Sequence, residues 1–85
     1  MSRIKIDLHP VFNNSKAIDE MLFNAFEEAV DNRIREVEII AGKGSGQLKK
    51  RVERFLQQPR IKKICHRVEK DSKNFGRIFV FIKFE

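Results

Sequence analysis

Tryptophan and tyrosine are absent from this 85-residue chain, which has one cysteine, two prolines and four glycines. A lone Cys65 forms no internal disulfide, and no Cys/His group has zinc-ligand spacing, so a reduced chain that needs no metal to fold is expected. The longest uninterrupted apolar run, Ile78 to Ile82, has five residues, against roughly 20 for a membrane span. The charged start Met1-Ser2-Arg3-Ile4-Lys5 leads into no apolar signal region. These absences predict a soluble, cytoplasmic protein with no membrane partner. No internal repeat or low-complexity stretch interrupts the chain, and its length suits one domain spanning residues 1–85.

Charge is plentiful and uneven. Residues 1–33 carry four basic side chains against six acidic ones, and residues 34–85 carry fourteen against six. Within 42–63 the basic residues are Lys43, Lys49, Lys50, Arg51, Arg54, Arg60, Lys62 and Lys63, opposed by Glu53 alone. Such a local field attracts polyanions, which makes nucleic acid the natural partner.

The apolar pattern predicts the order β-α-β-α-β-β. Ile4 to His9 reads as a short strand stopped by Pro10. Asn13-Asn14-Ser15 is N-cap material for a helix whose apolar pairs run from Ala17/Ile18 to Ala29/Val30, with Asp19 and Glu20 expected in its first turn. Val37 to Ala41 is a second strand. Leu48, Val52, Phe55 and Leu56 mark a second helix closed by Pro59, with the basic cluster on its other face. Ile61 to Val68 reads as a third strand with Cys65 and Arg67 on one face, and Asp71 to Gly76 as a turn. Arg77 to Phe84 is the most apolar strand and therefore suits an internal position. The expected fold is α/β, a two-layer α+β sandwich with two helices over one mixed four-stranded sheet. Its βαβ crossovers should be right-handed.

Parallel strands bring Asp7-x-His9 and the loop Gly42-Lys43-Gly44-Ser45-Gly46 to one rim, where open α/β sheets bind ligands. On an extended strand Asp7 and His9 share a face, where a carboxylate beside an imidazole can position water, move a proton or hold a divalent ion. Asp7 equally suits a strand-end carboxylate bonding nearby backbone N–H groups, and His9 a capping imidazole. The glycine loop can aim backbone N–H groups at a phosphate, with Lys43 as a point charge and Ser45 as hydrogen-bond partner or helix cap. It matches neither G-x-x-x-x-G-K-[ST] nor G-x-G-x-x-G, which argues against a nucleotide cofactor. Phe12 and Phe75 fall in predicted loops, where they clamp the loops onto the core or stack on bases. Cys65 belongs to no nucleophile motif.

Taken together, Leu8 and its neighbours in I-D-L-H, the acidic helix, the V-E-I-I-A-G-K-G-S-G-Q-L-K segment and the final apolar strand resemble the small MutS-related (Smr) domain from Ile4 to Phe84. That resemblance implies a fold similar to the C-terminal domain of bacterial translation initiation factor three. It also implies binding of DNA or RNA and, in some members, nicking or RNA-cleaving endonuclease activity with Mg²⁺ or Mn²⁺. Matched position by position, it implies Asp7 and His9 as catalytic residues, with Asp7 as metal ligand or base for water. Gly42, Lys43, Gly44, Ser45 and Gly46 would hold phosphate, joined by the basic residues Lys49, Lys50, Arg51, Arg54, Arg60, Lys62 and Lys63. The chain departs from the family pattern at Ala41, usually histidine, at Pro10, usually glycine, and at Asn74-Phe75-Gly76-Arg77, usually richer in glycine. Ala41 removes an imidazole, so binding is expected more firmly than cleavage, and a non-catalytic adaptor is the alternative. A third reading is a protein-interaction module built on acidic Glu20, Glu27, Glu28 and Asp31.

Overall fold

The computed structural model describes residues 3–11, 13–41, 46–70 and 76–84. The elements are β1 (Arg3–Asp7), a 3₁₀ turn (His9–Val11), α1 (Ser15–Asp31), β2 (Glu36–Ile40), α2 (Gln47–Leu56), α3 (Pro59–Ile64), β3 (Cys65–Lys70) and β4 (Arg77–Ile82). The sheet order is β1-β2-β4-β3. β1 and β2 are parallel, and β4 runs antiparallel to both of its neighbours. β3 is therefore parallel to β2, with β4 inserted between them, so the apolar last strand is internal as its composition predicts. The expected α+β sandwich with a mixed four-stranded sheet is what the chain forms.

Two helices were expected, and the described residues form three α-helices. Pro59, expected to close the second helix, instead opens α3 as its first residue, after Gln58 turns extended (φ −60°, ψ 136°). Proline suits that place because its missing N–H has no intrahelical partner there. Ile61, expected in a strand, is buried on α3. The third strand thus starts only at Cys65, and a register shift between Cys65 and Arg67 makes His66 the extra residue of a bulge. A bulge resets the two-residue alternation. Cys65 pairs with Ile82 and packs against the core, while Arg67 pairs with Phe81 on the opposite side, so these two do not share the face expected of them.

α1 starts where its cap residues predict, with the Asn14 side chain accepting the Ala17 N–H at 3.1 Å. Asp19 and Glu20 lie in the second turn rather than the first. The helix ends on Arg33 in the left-handed conformation (φ 53°), with Ile34 N–H donating to the Ala29 carbonyl at 2.8 Å. Arginine there replaces the usual glycine, and its guanidinium lies 5.1 Å from the Phe84 ring centroid.

The core lies between the helices and one side of the sheet. Ile18, Leu22, Ala25, Phe26 and Ala29 of α1 and Val52, Phe55 and Leu56 of α2 meet Ile6, Val37, Ile39, Ile78, Val80 and Ile82. Phe26 and Phe55 stack with centroids 5.7 Å apart, tying α1 to α2. Among the described residues no helix is long and apolar enough to cross a membrane.

On the sheet's other side Glu38 is only 3% exposed. Arg3 reaches its Oε1 at 3.1 Å and Arg77 its Oε2 at 3.0 Å, and Arg3 also contacts Glu36 at 3.0 Å. A buried carboxylate needs such partners, and here they staple β1, β2 and β4 together. Truncating Phe26 to alanine leaves a cavity under both helices. The expected cost is about 3–5 kcal/mol, read as a lower urea midpoint at unchanged slope.

Candidate nucleic-acid interface

β1 ends at Asp7 because Pro10 forces the chain into the 3₁₀ turn that begins at His9. Leu8 is fully buried and still donates its N–H to the Ile40 carbonyl at 2.9 Å. Asp7 and His9 are both exposed, but they do not line one face of an extended strand. Instead Asp7 Oδ1 accepts the backbone N–H of His9 at 2.9 Å, which makes Asp7 the cap of the turn. The carboxylate stands on the open side of the sheet, opposite Ile40 in register. Ala41, where the resemblance leads one to expect histidine, is 4% exposed and donates its N–H to the Gly76 carbonyl at 2.6 Å.

Of the glycine loop, Gly42, Lys43, Gly44 and Ser45 lie outside the described residues, as do Phe12, Phe75 and the first five residues of the predicted 71–76 turn. Gly46 is the residue before α2, with φ 87° and its carbonyl accepting from Lys50 at 3.0 Å. The left-handed φ, not crowding, demands glycine, since an added Cβ would meet nothing within 4 Å.

The basic residues do not form one continuous face. Lys50, Arg51 and Arg54 line a cleft of about 380 Å³ with Asn13, Ser15 and Gln47, where α1 and α2 begin. Arg51 reaches Asp19 of α1 at 3.3 Å, and its buried Nε has no partner among the described residues. Lys49 is half-buried and lies outside that lining. Arg60 turns toward α1, its guanidinium 5.0 Å from the Phe23 ring centroid. Lys62 lines a separate groove with Cys65, His66 and Lys70, in which Lys70 pairs with Glu53, and Lys63 is exposed.

The last strand, expected to be internal and apolar throughout, shows two different sides. Phe79 and Phe81 alternate with buried Ile78, Val80 and Ile82 and stand half-buried on the open side of the sheet. Strict alternation in Ile-Phe-Val-Phe-Ile is the signal that separates them.

Among the described residues no group of three or more His, Cys, Asp or Glu side chains is placed to hold a metal ion. Asp7 alone is the kind of ligand that Mg²⁺ uses together with water and substrate phosphates.

The architecture is that of a two-layer α+β domain with its helices on one side of a mixed sheet. A family model described as "Smr domain" matches residues 6–83, and the chain belongs to the Smr domain family. The fold is similar to the crystal structure of the Smr domain of Thermus thermophilus MutS2, with a TM-score of 0.73 at 16% identity, covering 99% of this chain and 100% of that one. No curated protein sequence matches the chain.

Burial pushes the Cys65 thiol above its ordinary value near 9. Iodoacetamide at pH 7.5 is expected to alkylate the folded protein more slowly than the urea-unfolded chain. Because the folded thiol titrates higher than the unfolded one, this group's stabilising contribution is fully present below about pH 9 and is lost as pH rises from there through the folded value. Equal alkylation rates in the two states would show an accessible, unperturbed thiol.

Proposed function

We propose that this Smr domain is a nucleic-acid-binding module that grips the phosphate backbone of DNA or RNA. The observation that carries this reading is the cleft at the start of α1 and α2, where Lys50, Arg51 and Arg54 converge. Three cations around a concave surface match a chain of phosphates, which lysine and arginine recognise through charge-assisted hydrogen bonds. Gly46 directly precedes Gln47, which lines the cleft, and the phosphate-binding role of Gly42, Lys43, Gly44, Ser45 and Gly46 belongs to the same proposal on the strength of their sequence alone. Lys49, Arg60, Lys62 and Lys63 add long-range attraction rather than direct contacts in the cleft.

Backbone gripping is electrostatic. Binding of a fluorescent oligonucleotide is expected to weaken steeply between about 50 and 200 mM salt. Changing Lys50, Arg51 and Arg54 together to glutamine should reduce the log–log salt slope by about 3. An unchanged slope would remove the cleft from the interface, and absence of binding to any nucleic acid would overturn the reading.

Cleavage is the second reading, favoured by Asp7 and His9 standing exposed at the same rim. In it the free Asp7 oxygen orients a water or holds Mg²⁺ or Mn²⁺ against a substrate phosphate, and the His9 ring contacts phosphate or supplies a proton. The divalent ion would supply charge stabilisation of the phosphoryl oxygens. Incubation with supercoiled plasmid and with a structured RNA, with and without Mg²⁺ or Mn²⁺, tests it. If the domain cleaves, Asp7→Asn is expected to abolish the products while leaving retention on the gel unchanged. Bound but intact nucleic acid in every lane would leave the adaptor.

A further inference from the structure

We propose that the open side of the sheet is a stacking platform for an unpaired nucleic-acid strand, leading that strand toward Asp7; this rests on the nucleic-acid reading above. The register places the outward side chains in three rows. Arg3, Glu36, Phe81 and Arg67 form the first, Lys5, Glu38, Phe79 and Glu69 the second, and Asp7, Ile40 and Arg77 the third, at the rim. Phe81 and Phe79 are two residues apart on the internal strand, roughly 6.5–7 Å, a step that an extended nucleotide chain spans. Rings at this spacing on an open sheet offer successive bases a π-face, whatever their sequence.

The covering groups suit the same partner. The Arg67 guanidinium lies 4.8 Å from the Phe81 centroid and that of Arg3 lies 5.8 Å from the Phe79 centroid. Arg67 is 57% exposed and, among the described residues, paired only with half-exposed Glu69, so an incoming base can displace it from Phe81 and a phosphate can take up its guanidinium, while Arg3 stays on Glu36 and Glu38 beside Phe79. Arg77 stands beyond Phe79 in the strand's path, two strands and about 10 Å from Asp7. Carboxylates on this side balance its cations, four against four, with Arg3 and Arg77 holding Glu38, Arg3 holding Glu36 and Arg67 holding Glu69. Attraction here therefore comes from stacking and not from net charge. A duplex, whose bases are already stacked on one another, gains nothing from it.

The test is fluorescence anisotropy with a single-stranded oligouridine, a single-stranded oligothymidine and a duplex of equal length, each at several salt concentrations. Phe79→Ala and Phe81→Ala are each expected to lower affinity for the unpaired strands roughly 5- to 150-fold. Duplex affinity should change less than about twofold and the salt slope not at all. Phe81→Tyr should retain binding. Phe79→Leu and Phe81→Leu keep apolar bulk without a π-face and should show the same loss, which covers the case in which an alanine variant unfolds. Leucine variants that bind like the parent, or equal losses for duplex and single strand, would overturn the platform. So would a dimer that these variants dissociate in sedimentation while both affinities stay unchanged, because the rings would then belong to a second copy. If no oligonucleotide binds at all, the backbone-gripping reading fails first; if all bind and the phenylalanine variants match the parent, only the platform fails.

Discussion

Alternation along β4 is the constraint on which the rest of the molecule depends. β4 sits between β2 and β3, so Ile78, Val80 and Ile82 must face the helices to close the core. A one-residue slip would put two phenylalanines under α1 and α2 and three aliphatic side chains in solvent. Fixing that register also fixes everything outside it. Phe79 and Phe81 are held on the open side, Arg77 is held at the rim, and the antiparallel ladders carry Glu38 and Arg67 to their places beside the rings.

Glu38 shows how the open side is stabilised without a second layer of helices. A carboxylate with almost no exposure on an uncovered sheet would be costly alone. Two guanidinium groups from the flanking strands satisfy both of its oxygens, and one of them also reaches Glu36. Because Arg3 and Arg77 are themselves half in water, the arrangement exchanges little hydration for a fixed geometry. The result is a surface whose charges balance and whose apolar side chains in these rows are Phe79, Phe81 and Ile40.

Much of this was legible in the sequence, and the failures have local causes. The periodicity of α1 and α2, the Asn14 cap and the internal character of the last strand follow from side-chain spacing, which burial of one face enforces. Pro59 misleads because proline both ends helices and begins them, and only the extended Gln58 before it decides which. The bulge at His66 is invisible because a single inserted residue leaves the apolar pattern of Ile64 to Val68 intact while reversing which side Arg67 faces. The basic run from Lys49 to Lys63 looks continuous in sequence, yet the break between α2 and α3 sends Arg60 to Phe23 and Lys62 to another groove. Asp7 and His9 were read as strand neighbours, and Pro10 turns the second of them out of the strand.

That turn bears directly on how much chemistry this rim can carry. The chain has two histidines. His66 lies near the start of β3, which is parallel to β1, and so stands at the end of the sheet away from Asp7. Ala41 is buried, donates its N–H to the Gly76 carbonyl and supplies no imidazole. Any imidazole contribution at the rim therefore falls to His9, whose own backbone N–H occupies one oxygen of the neighbouring Asp7. One carboxylate oxygen and one ring remain. A pair that limited can do hydrolytic work only on a phosphodiester held in place by other parts of the molecule. Positioning then becomes the dominant demand, because orientation of bound groups supplies much of what a sparse catalytic set lacks. Cations between the helices and rings on the sheet, meeting at one rim, are the two means of positioning that this fold offers.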